Sequence, residues 1–174
     1  MTVTIDGSAG VTTNSGAVYN GLQTATAQAS TSGTSIDFTS IPSWVKRITV
    51  MFSGVSTNGT LALQIQLGAG SITSTGYIST SINTTTGGTT SITSGFLIIQ
   101  NSAATDILYG SVVINTLGSN IWTETGLLQQ STSSRLSASA GGVTLAGTLD
   151  RVRITTVSPS TDTFDAGSIN IMYE

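Results

Sequence analysis

Eight carboxylates are the side chains in this 174-residue sequence best suited to acid or base chemistry: Asp6, Asp37, Asp106, Glu124, Asp150, Asp162, Asp165 and Glu174. Histidine and cysteine are both absent. Their absence excludes a Ser–His–Asp triad, an HExxH zinc site, thiolate nucleophiles and disulfides. What remains for catalysis is a pair of carboxylates, as in glycoside hydrolysis. One predicted strand joins Asp150 to Asp162 and Asp165, which are expected near one end of the fold. The preferred reading is that Asp162 and Asp165 solvate and shape the turn Ser158-Pro159-Ser160-Thr161-Asp162. Asp162-Thr163-Phe164-Asp165 also offers two oxygens at close spacing, yet it lacks the D-x-D-x-D-G pattern of a calcium loop, and the turn reading is preferred again. No GxGxxG follows a strand and no GxxxxGK[ST] occurs. The expectation is a chain with no catalytic residue, no cofactor and no metal.

Aromatic side chains are the remaining handles for a ligand. Trp44 follows Pro42 and precedes the Lys46-Arg47 pair, and Trp122 sits in Asn120-Ile121-Trp122-Thr123-Glu124. Tyr77 and Tyr109 fall in strands or at their ends. An exposed Trp or Tyr beside Asn, Thr or Glu can stack on a sugar ring while the polar groups take its hydroxyls. Tyr77 and Trp122 are the candidates for that role. The competing reading is that large aromatics anchor a core or a subunit interface. Lys46, Arg47, Arg151 and Arg153 alternate onto predicted solvent-facing positions, where salt bridges or rim contacts are expected. Asn58-Gly59-Thr60 and Asn83-Thr84-Thr85 match the glycosylation pattern, which is incidental where no secretory signal is visible.

The elements that must carry these residues are strands. Leu61-Ala62-Leu63-Gln64-Ile65-Gln66-Leu67 alternates apolar with small or polar residues, as a half-buried strand does, and Arg47-Ile48-Thr49-Val50-Met51-Phe52-Ser53 repeats the pattern. Asn58-Gly59 between them suits a type I′ turn, so residues 46–67 are predicted to form a hairpin. Phe96-Leu97-Ile98-Ile99-Gln100 reads as a strand buried on both faces, and Ile107–Ile114 as another apolar strand. Arg151–Thr155 alternates with Val152 and Ile154 inward, and Ile169–Tyr173 alternates at the end. Leu127-Leu128-Gln129-Gln130 is the one place where a helical turn is expected. Many short strands with Gly-rich punctuation predict an all-β, antiparallel β-sandwich or jelly roll. Residues 31–174 are assigned to that domain. Residues 1–30, interrupted by glycine every few positions, are read as an extended N-terminal arm that packs on a neighbouring subunit or forms an irregular edge of the same domain.

Composition narrows the function. Charged residues make up 7% of the chain, against about 25% in ordinary globular domains. The net charge is −3, and no basic stripe offers to neutralise phosphates, so nucleic acid is not expected as a partner. With 38% hydrophobic residues the chain is expected to fold. No apolar run reaches the roughly 18–20 residues that span a bilayer, and the first residues show neither a basic n-region nor an apolar h-region. Synthesis in a cytoplasm without membrane insertion is the expectation.

Three phrases of the chain resemble structural proteins of tailed bacteriophages: Thr4-Ile5-Asp6-Gly7-Ser8-Ala9-Gly10-Val11-Thr12, the run Phe38–Thr49 around Ile41-Pro42-Ser43-Trp44-Val45-Lys46-Arg47, and the run Asp162–Glu174 ending in Ile169-Asn170-Ile171-Met172-Tyr173-Glu174. The first is similar to the "IDG-xxG-V/I-T" openings of tail-fibre modules. The other two are similar to the beginning and end of a C-terminal module appended to such fibres. The resemblance implies a non-catalytic virion protein: a homotrimeric tail-fibre or receptor-binding module, bound to other phage virion proteins and facing a host surface glycan. It transfers no site residues. Tail fibres usually carry a shaft or docking domain ahead of such a module, and this departure keeps a capsid decoration (cement) protein as the alternative. A carbohydrate-binding, lectin-like module is the second alternative.

Overall fold

The computed structural model describes residues 3–6, 10–13, 18–19, 21–60, 62–85, 87–100, 103–131, 134–158 and 161–174, with backbone alone before residue 21. Leu61, Pro159, Ser160 and the side chain of Asp6 therefore lie outside the described residues, as does half of the segment 1–20. Every described pairing is antiparallel, and the body is a β-sandwich of two sheets. Near the start, β1 (Val3–Asp6), β2 (Gly10–Thr13) and β3 (Val18–Tyr19) form a separate three-stranded sheet.

The large sheet is built on long strands. In spatial order it runs β11 (Thr89–Ile92), β10 (Ile78–Asn83), β15 (Arg135–Thr144), β14 (Ile121–Gln130), β13 (Leu108–Gly118), β7 (Arg47–Thr57) and β17 (Phe164–Tyr173). β4 (Gln23–Thr24) and β5 (Gln28–Ala29) pair along the outer edge of β17. The small sheet runs β12 (Phe96–Ile99), β8 (Leu63–Ala69), β16 (Arg151–Thr156) and β6 (Ser35–Thr39), with β9 (Ser71–Ile72) on β8. Ile48, Val50, Val112, Ile114 and Ile169 face Leu63, Ile65, Leu67, Val152 and Ile154 in one buried core. Both β7 and β17 slip register where Gly54 (φ +67°) meets Gly167 (φ +88°). A Cβ on Gly167 would stand 2.3 Å from the Gly54 carbonyl oxygen, so only glycine fits there.

The strand expectations at 96–100, 107–114, 151–155 and 169–173 correspond to β12, β13, β16 and β17. Three others are corrected. Residues 46–67 do not form a hairpin, because β7 belongs to the large sheet and β8 to the small one. Neither Asn58 nor Gly59 has positive φ. Instead, the Asn58 amide donates to the Thr163 carbonyl (3.0 Å) and the Thr163 amide donates to Asn58 Oδ1 (2.9 Å). A Cβ on Gly59 would fall 2.0 Å from Asp162 Cγ. This glycine serves close approach between two loops, and the chain crosses from sheet to sheet. Nor is the β8 segment half-buried: Gln64 and Gln66, on its outer face, are covered along with the leucines. Leu127–Gln130 makes no helical turn and continues β14 as strand.

The second part of the arm runs extended along its own chain's sheet. Its β4 and β5 pair with β17, and buried Ser30 donates from its amide to Gly167 O (2.9 Å) and from its hydroxyl to Ala166 O (2.8 Å). Gln28 Nε2 reaches across to the Asp37 carbonyl on β6 (2.6 Å).

Candidate functional site

The carboxylates are dispersed. Asp150 lies where β16 starts and meets the Gly70 amide, whereas Asp162 lies beyond the other end against Gly59, so the six residues of β16 set the two apart by about 20 Å at ~3.3 Å per residue. The expected grouping at one end of the sandwich is thereby corrected. Asp150 accepts from Arg151 Nε (2.7 Å) and from the Gly70 amide (3.2 Å), and the Arg151 guanidinium holds its carboxyl below the usual range. Asp37 takes a two-pronged bond from Arg153 (2.7 and 2.7 Å), Glu174 pairs with Arg47 (3.0 Å), and Asp106 pairs with Arg135 (3.3 Å). Among the described residues no three acids gather where a cation could be held.

Glu124 stands apart. It is buried on the inner face of β14, where Ser139 Oγ donates to its Oε1 (2.6 Å) and its Oε2 has no partner among the described residues. Gly126 and Gly141 make the room: a Cβ on Gly126 would stand 2.6 Å from Ser139 Oγ, and one on Gly141 would stand 2.9 Å from the Phe96 ring. Burial pushes the Glu124 carboxyl up to about 7.

The two aromatic candidates belong to the core. Tyr77 is 1% exposed, accepts from the Leu67 amide through its hydroxyl (2.7 Å), and meets Phe96 edge to face at 4.9 Å. Burial raises its phenol to about 12. Trp122 is 4% exposed. Neither ring presents a face on which a sugar could stack, so the anchoring reading holds for both. Trp44 packs against Tyr173 (6.0 Å), and of the four only Tyr109 is broadly exposed.

Two surface features do stand out, and the reading of isolated residues passed over both. The first is the outer face of the large sheet from β11 to β13. On β10, Ser79, Ser81 and Asn83 point inward, while Ile78 (82% exposed), Thr80 and Ile82 point outward. On β15, Ser137 and Ser139 are buried, while Leu136, Ala138 and Ala140 face outward. Register places Ile82, Ala138 and Leu127 in one row and Thr80, Ala140, Thr125 and Val113 in the next. No charged side chain occupies an outward position in these five strands. The alternation Ile78-Ser79-Thr80-Ser81-Ile82 was visible in the sequence, but alternation alone does not say which set faces in.

The second feature is a hollow of about 480 Å³ on the outer side of the small sheet. Its floor is Gln64, Gln66, Arg153 and Thr155, with Thr34, Ser74 and Ser94 around it. Gln64 Oε1 accepts from Ser94 Oγ (2.8 Å), and Gln66 Nε2 donates to Ser94 O (2.9 Å). Thr155 Oγ1 donates to Thr34 O (2.8 Å). These bonds fix a polar floor in place before any ligand arrives.

No family model, curated protein or solved structure matches this chain.

Proposed function

We propose that this chain is a bacteriophage virion structural protein: a trimeric tail-fibre or receptor-binding surface module without catalytic activity. The observation that carries the reading is the outer face of the large sheet, uncharged across five strands, with Ile78, Ile82, Leu127 and Leu136 exposed among Ser and Thr side chains. Large apolar side chains exposed together on a face that carries no charge mark a face that another protein covers. A chain with 7% charged residues fits a part that spends its life packed among neighbours. The resemblance of the phrases at Thr4–Thr12, Phe38–Thr49 and Asp162–Glu174 to phage fibre modules suggests the kind of assembly. The test is copy number per purified virion, by quantitative mass spectrometry against the major capsid protein. A few copies to a few dozen place the chain on the tail. Copies in the hundreds make it a capsid decoration protein, and absence from particles overturns the virion reading.

The second reading, a lectin-like module, is favoured by the polar hollow over Gln64 and Gln66. Fixed amide and hydroxyl groups with a single arginine suit a neutral polyhydroxylated ligand. The hollow's volume of about 480 Å³ also lies in the range of ordinary ligand pockets. Saturable binding to host polysaccharide that disappears in Gln66→Ala, with the fold intact, is the outcome this reading requires.

A further inference from the structure

We infer that the outer face of the large sheet receives a second copy of this chain, with the Leu127 ridge of one copy seated in the hollow over Ala138 and Ala140 of the next. The inference rests on the assembly role proposed above and names the surface and the partner.

Its first support is the reversed polarity of β10 and β15. A one-residue slip of either strand would bring its apolar side chains in and send its serines out. The observed register is nevertheless fixed from within. Ser79 Oγ accepts from the Leu97 amide of β12 (2.8 Å), Ser139 bonds Glu124, and Gly141 leaves space for Phe96. Ile78, Ile82 and Leu136 therefore face outward by construction, and they reach an apolar environment only through a partner.

Size is the second support. Five strands at ~4.8 Å spacing, with about four outward residues per strand on average, give a face of roughly 650 Å² before side-chain relief. A stable protein contact needs about 800 Å² of accessible surface from each side. With its relief included, this one face is on that scale.

Shape and charge select the copy as the partner. Ala138, Ser139 and Ala140 line a shallow, open hollow of about 330 Å³ together with Thr80, Ile82 and Thr89. Thr80 spends its hydroxyl sideways on Ser91 Oγ (2.7 Å), which leaves an apolar wall. Directly opposite Ala138 on the adjacent strand stands Leu127, 54% exposed. One face thus carries both a ridge and a hollow of matching chemistry. The absence of charge offers nothing to a partner that brings charge, and lets the face meet itself without repulsion at any pH.

The test is the mass of the purified chain in solution by analytical ultracentrifugation at ten or so micromolar, with Leu127→Glu and Ala138→Glu beside the wild type. The wild type is expected at two or more times 17.7 kDa, and each variant at 17.7 kDa with an unchanged circular dichroism spectrum. A second measurement covers variants that fail to fold. The chain contains no cysteine, so Leu127→Cys mixed with Ala138→Cys can form only intermolecular disulfides. Rapid formation of the mixed disulfide supports the inference. A monomeric wild type overturns it, as does an oligomer that survives both glutamate variants without the mixed disulfide. The virion reading fails separately, by absence from particles, whatever the solution mass.

Discussion

The large sheet has two halves that treat the same pleat in opposite ways. Where β13, β7 and β17 lie over the small sheet, the inner face is Ile48, Val50, Phe52, Val112, Ile114, Ile169 and Ile171, all buried. Two strands further along, the inner face of β10 and β15 is Ser79, Ser81, Asn83, Ser137 and Ser139, equally buried, and the isoleucines face out. The first half is held by transfer of apolar surface from water. The second is held by fit: small side chains and glycines admit Phe96 and Glu124, and hydroxyls bind the amide and carboxyl groups that arrive there. Burial alone thus does not separate a hydrophobic core from a hydrogen-bonded seam.

Breaking the seam's largest apolar contact should have the largest effect. Phe96→Ala removes the ring that fills the space over Gly141 and packs on Tyr77, and a loss of about 3–5 kcal/mol is expected in urea unfolding. Glu124→Gln should move stability the other way, in a pH-dependent manner. The unfolded chain gives up this proton near 4.5, whereas the folded carboxyl holds it to about 7. Wild-type stability therefore falls as pH rises through that window, while the glutamine variant does not share the fall. The gap should level off above pH 7 at a value on the order of 3 kcal/mol, read from melts at pH 5 and pH 8. Ser139→Ala strips Glu124 of its donor and should cost about 1–3 kcal/mol. Ser81→Ala is the sharpest contrast, because that hydroxyl is buried with no partner among the described residues. Removing it should be neutral or stabilising by up to ~1 kcal/mol in the same unfolding experiment.

The first half was legible in the sequence. Alternation at 47–53 and 169–173 and the apolar run at 107–114 reappear as β7, β17 and β13, because in those segments hydrophobicity and burial agree. Where they disagree, local pattern gave the wrong answer or none. Asn58-Gly59 looked like a hairpin turn, but the contact that decides its course is with Thr163 and Asp162, a hundred residues away in sequence. Tyr77 and Trp122 have polar neighbours in sequence but buried ones in space, since Tyr77 meets Phe96 and Leu67 through the fold. The outer face was hidden for the same reason. Nothing within β10 tells Ser79 that its partner will be the Leu97 amide.

The arm's second part has a bearing on solubility. β4 and β5 close the outer edge of β17, and Gln28 donates to Asp37 O on β6, so one short segment caps the ends of both sheets at once. Open edges are templates on which strands from other molecules add without limit. A chain cut after Ser30 would keep its core and lose this guard at two places together. Its fate would be uncontrolled polymerisation by strand addition, distinct from ordered assembly through the sheet face.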